Sequence, residues 1–246
     1  MNTTLDLQPG HVALDSNAAH RLQLPNSECV MNYFAHGRRF LDRPYFLAGT
    51  AVPDWLNVIN RRSRPRQAKT FVSDSDPHVA SIASGVLQHQ LDDRWFHQTP
   101  AFTSLNWNFT IEIRDRLPSD NGFRPTFLGH ILVELLLDAT LIQEDIEQLD
   151  RYYDVIEALD PQIVAHAVNR MVTQPAEGLD LFLPRFSEER FLYDYLEDGK
   201  LLWRLNQVMR RVKLPPLPDS LIAWFPVARD EVRRHATDLL TQPPTT

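Results

Sequence analysis

The sequence predicts an all-α protein, a single helical domain of about seven helices over residues 31–242. Two observations carry that prediction. Helix-start signals recur along the chain, above all Asp76 ahead of Pro77 and Arg124 ahead of Pro125, where proline's fixed φ and missing N–H suit a first helical position. Apolar residues then repeat at helical spacing, while strand signals are weak.

Taken in order, residues 1–30 are polar with little periodicity and are expected to form a flexible N-terminal extension. Asp42 with Pro44 marks a helix start, and Pro53 should break a helix or begin one beside Asp54. Asp76–Pro77 open a helix reaching about Gln98. A further helix is expected over 103–116, although Asn106, Asn108 and Thr110 disfavour it. Pro125 starts a long apolar helix that should continue to about Leu149. Beyond it, 160–172, 189–212 and 219–240 are amphipathic, and KLPPLPD (213–219) separates the last two. The domain therefore divides into a half rich in candidate ligands (31–150) and a C-terminal helical half (151–242).

Composition excludes several classes. The net charge of −7 argues against general nucleic-acid binding. One cysteine, Cys29, forbids an internal disulfide, which points to a reducing, cytoplasmic setting and to metal ligands other than paired thiolates. No signal-peptide pattern or unbroken apolar run of about 20 residues is present, so no membrane association is expected. Charge is unevenly spread: residues 31–70 carry a local +6, dominated by RRSRPR (61–66). That run suits either a solvated loop or a contact for an anionic substrate or acidic partner.

The chemistry-bearing pattern lies in TFLGHILVELLLDATL (126–141). His130, Glu134 and Asp138 are four residues apart, so they share one stripe of an otherwise apolar helix. Buried charges there cost several kcal/mol unless they meet partners. GVLQHQLDDRWFHQTPAF (85–102) repeats the geometry with His89, Asp93 and His97. Two helices with inward polar stripes can pool ligands for a cation. His36, after the apolar run in MNYFAHGRRF, and Asp54, after the small residues of LAGTAVPDWL, are further candidates. Imidazole and carboxylate donors suit Mn, Zn, Fe or Mg. The alternative is a metal-free buried network in which Arg38 or Arg94 neutralises the acids.

The order of these motifs resembles the acyl carrier protein phosphodiesterases, relatives of the HD-domain metal-dependent phosphohydrolases, over about residues 31–142. The matching pieces are MNYFAH (31–36), the small-residue segment ending at Asp54, the helix with His89 and Asp93 leading to Pro100, and the helix with Glu134 and Asp138. A partial similarity to zinc-dependent phospholipases C lies in GTAVPDW and LGHILVELLLDA. The resemblance implies an HD-domain-like bundle and makes Met31 a candidate functional start. It also implies metal-assisted phosphoester hydrolysis, with one or two divalent ions held by His36, Asp54, His89 and Asp93; His130, an addition to the family pattern, is a further candidate ligand on the α-helical stripe. Glu134 and Asp138 would act as catalytic carboxylates, Asp138 on the attacking water. Arg38, Arg39 and Arg94 would contact the phosphate of a phosphorylated small molecule or a phosphopantetheine-linked acidic carrier protein. The chain departs from the family at Ala139, where a histidine is usual, at Glu134, where Asp is usual, and at His97, where an acid is usual. These departures motivate a second expectation, a non-catalytic helical binding protein on a degenerate hydrolase scaffold.

Overall fold

A computed structural model describes residues 32–117 and 124–242, so the expected extension 1–30 and Met31 lie outside the described residues. Among the described residues there are ten α-helices, three short 3-10 helices and no strand. They are α1 (Tyr33–Gly37), α2 (Pro44–Ile59), α3 (Pro77–Phe96), α4 (Pro100–Arg116), α5 (Pro125–Glu144), α6 (Ile146–Glu157), α7 (Pro161–Met171), α8 (Leu179–Glu189), α9 (Asp198–Arg211) and α10 (Phe225–Leu239). The all-α expectation holds, with more helices than the seven expected.

Local chemistry explains where the elements begin. Asp76 caps α3 by accepting from the His78 and Val79 amides, and Asp160 caps α7 in the same way. Three boundaries differ from expectation. Pro53 neither breaks nor starts a helix but sits inside α2. An internal proline costs about 3 kcal/mol, and α2 tolerates it because ten of its residues are buried, from Phe46 to Leu56. The long helix stops at Glu144, where Asp145 accepts from the Gln148 amide and caps a separate helix, α6. Residues 189–212 and 219–240 each open with a 3-10 turn (Phe191–Leu196 and Asp219–Trp224), and α8 precedes them unannounced.

α5 is the axis of the fold. Every residue from Ile131 to Ile142 is buried, because α1, α4, α6, α10 and the turn 191–196 surround it. By length and composition alone α5 could cross a membrane, but 83% of its apolar window is buried inside the fold. α4 pairs with it through Asn106 and Thr110 against Gly129. On the other side α2 and α3 lie side by side in the same sense, Tyr45 against His78 and Gly49 against Gly85. Those glycines are required. A Cβ on Gly49 would stand 2.2 Å from the Ile82 carbonyl oxygen, and one on Gly85 would stand 2.1 Å from that of Phe46. The C-terminal half joins the same core, with Phe186 edge-on to both Tyr33 and Trp55.

Candidate metal centre

Four elements deliver the polar groups. α3 presents His89 and Asp93, with His97 as its C-cap, one turn apart along a single stripe, and α5 presents His130, Glu134 and Asp138 likewise. α1 adds His36, and α2 adds Asp54.

Two groups of potential ligands result, His36–His89–Asp93 and His97–His130–Glu134, each with its donor atoms within 4.8 Å of one another. In the first, His36 Nε2 lies 3.2 Å from Asp93 Oδ1, and His89 Nε2 lies 3.3 Å from Asp93 Oδ2. The two rings stand 4.2 Å apart. His89 Nδ1 is 2.8 Å from the Thr50 carbonyl oxygen. A carbonyl can only accept, so Nδ1 carries the proton and donates, and Nε2 faces Asp93. That is the outer-shell pattern that orients metal-binding histidines.

Asp92 supports His36 from behind, 3.6 Å from its Nδ1. It accepts hydrogen bonds from Gln88 Nε2 (2.9 Å), Trp95 Nε1 (3.2 Å) and Arg39 Nη2 (3.2 Å). Burial works against the charge on His36, but the Asp92 and Asp93 carboxylates outweigh it and raise its pKa to about 10. Burial likewise works against an ionised Asp93, yet the His89 and His36 imidazoles hold its carboxyl well below the usual range.

Asp54 stands apart chemically. Its side chain is 1% exposed, and neither oxygen has a hydrogen-bond partner among the described residues. Burial pushes its pKa well up; nearby His36 opposes that, while Asp93, Glu134 and Asp138 add to it. A carboxyl so placed has no hydrogen-bond donor to stabilise its charge, and three other carboxyls oppose it, which is the gap a cation fills.

Asp138 is engaged differently. Its Oδ2 accepts from the Phe34 amide at 3.1 Å and its Oδ1 from the Ala35 amide at 2.8 Å. Burial raises its pKa to about 7 despite those two donors. Through them α5 fixes the start of α1, and with it the position of His36.

Of the arginines, Arg38 and Arg39 line a cleft of about 110 Å³ that His36 and Asp92 also line, whereas Arg94 is exposed on α3 away from it. The guanidinium that reaches the acidic cluster is Arg39, and it pairs with Asp92. In the basic run, Arg61 and Arg62 are exposed, while Arg64 donates to Asn57 Oδ1 at 2.7 Å. Asp92 falls outside the period-four stripe that singles out His89, Asp93 and His97 in the sequence. Its signal was the spacing that puts Gln88, Asp92 and Trp95 on one face of α3. His97 was read as part of the stripe but not as a ligand; its partners come from another helix.

No protein-family model, curated protein or solved structure matches this chain, so the family resemblance rests on its motifs alone.

Proposed function

We propose that the protein is a metal-dependent phosphoester hydrolase whose divalent ion is held by His36, His89 and Asp93, with Asp54 completing the site. The observation that carries this reading is Asp54: a fully buried carboxyl with two unengaged oxygens, within electrostatic reach of His36 and Asp93, whose donor atoms lie within 4.8 Å of each other and of His89. Ligands at about 2.1 Å from one ion and 90–110° apart are roughly 3.0–3.4 Å from each other. The 3.2 and 3.3 Å separations around Asp93 match that spacing.

A divalent ion there supplies activation of water and stabilisation of charge on a phosphoryl oxygen. The chain's own residues supply the rest. Thr50 and Asp92 keep His89 and His36 turned inward. Asp138 anchors α1. One oxygen of Asp54 remains to take the proton of the attacking water. Arg38 and the outward face of Arg39 meet the phosphate from the adjoining cleft, with the fork geometry that suits it. The motif resemblance favours a phosphodiester such as a phosphopantetheine-linked acidic carrier protein, with a phosphorylated small molecule as the simpler substrate.

The test is turnover of bis(p-nitrophenyl) phosphate by protein loaded with Mn or Zn. We expect metal-dependent hydrolysis that falls at least about 100-fold in Asp93→Ala. A folded, metal-loaded protein inactive on phosphodiesters and phosphomonoesters alike would overturn the reading. One observation favours a second reading, a non-catalytic helical binder: Ala139 occupies the position where the resemblance places a histidine. That reading predicts substoichiometric metal.

A further inference from the structure

Outside the proposed ion site lies the second group, in which His97, the C-cap of α3, meets His130 and Glu134 of α5. His97 Nε2 and His130 Nε2 both approach the same oxygen, Glu134 Oε1, at 2.9 and 3.1 Å. The two rings stand 4.6 Å apart. Glu134 is fully buried, and its other oxygen, Oε2, has no hydrogen-bond partner among the described residues.

Two imidazoles converging on one carboxylate oxygen leave the second oxygen unused, and a simple hydrogen-bonded triad gives no reason for that. A cation does, because a buried carboxylate can turn both oxygens toward it. The 2.9 and 3.1 Å separations lie close to the roughly 3.0–3.4 Å expected between ligands of one ion. His97 and His130 retain 26% and 14% side-chain exposure, so the group is reachable from solvent. Asp54 lies near enough to feel both Asp93 of the first group and Glu134 of the second.

We propose that His97, His130 and Glu134 bind a second divalent cation beside the first. Two nitrogen donors and one carboxylate select a first-row transition ion, Zn, Fe or Co, over Mg or Ca. This inference rests on the hydrolase reading for its purpose but not for its measurement.

The experiment is titration of the chelator-treated full chain with Co(II), reading d–d absorbance and bound metal per chain. Wild type, H36A, H97A, H130Q and E134Q are compared, each checked for helical content by circular dichroism. We expect two equivalents for wild type, and one for H36A and for each of H97A, H130Q and E134Q. The spectrum lost with H36A should differ from that lost with the other three. E134Q preserves side-chain volume, so it keeps the test alive if the histidine variants fail to fold. One equivalent in wild type, lost only in H36A, overturns the second site and leaves the first intact. One equivalent lost only in H97A, H130Q or E134Q supports the second site and overturns the first. No bound Co(II) overturns both.

Discussion

Replacing Gly85 with alanine should open the proposed site without touching a ligand. The added Cβ would lie 2.1 Å from the Phe46 carbonyl oxygen and 2.9 Å from the Thr50 nitrogen, both backbone atoms that cannot rotate away. Relief to ordinary contact requires α2 and α3 to part by about 1 Å locally. Thr50 belongs to the displaced helix, and its carbonyl holds His89 Nδ1 at 2.8 Å; an extra ångström takes that distance past the limit of a hydrogen bond. Overpacking of this kind costs about 1–3 kcal/mol, and the lost bond adds about 1 kcal/mol. At 2–4 °C per kcal/mol for a domain of this size, the melting temperature should fall by roughly 5–15 °C. Metal affinity should fall with it, because His89 loses the contact that fixes its ring. The assay is thermal unfolding by circular dichroism paired with Co(II) titration of Gly85→Ala. A variant that melts and binds like wild type would refute the claim that this glycine contact sets the site.

Gly199→Ala is the opposite case: the new methyl meets nothing within 4 Å inside α9, so stability should rise by about 0.5–1 kcal/mol, read as a higher melting temperature; a loss would contradict the open geometry. Asp74 accepts from the Asp76 amide and from both terminal nitrogens of Arg170, and these donors hold its pKa below the usual value. A folded pKa below the unfolded one stabilises above about pH 4 and ceases to do so as pH falls through the folded value. Asp74→Asn should therefore melt below wild type at pH 7 and converge with it in acid; a gap independent of pH would count against the pairing. Metal uptake should release protons, since His36 carries one at pH 7 and Asp54 is raised in the same direction. Calorimetry in buffers of different ionisation enthalpy should give different apparent heats, with affinity rising between pH 6 and 8. Identical heats would contradict it.

The stripes on α3 and α5 were legible because period-four spacing fixes a face whatever the helix packs against. Asp76 and the prolines at the first turns mark the starts of α3 and α5 for an equally local reason. What the sequence could not reveal depends on azimuth between helices. Nothing in the chain order says that His97, one turn beyond Asp93 at the end of α3, leaves the group containing Asp93 and joins Glu134 of α5. The engagement of Asp138 with the α1 amides was hidden for the same reason, its partners being about 100 residues away. Helix breaks misled where tertiary packing outweighed propensity. α2 carries Pro53 and α8 carries Pro184 because both helices bury apolar faces, while Asp145 ends α5 with a cap that composition alone does not distinguish from an exposed acid.

Metal content decides the central claim most directly. Elemental analysis of protein purified without chelators should find at least one equivalent of a first-row transition ion per chain, with one equivalent fewer in Asp93→Ala, and chelation should lower the melting temperature of wild type by more than that of the variant. Substoichiometric metal in wild type, with a melting temperature indifferent to chelator, would show that Asp54 and its neighbours form a buried network that holds no ion.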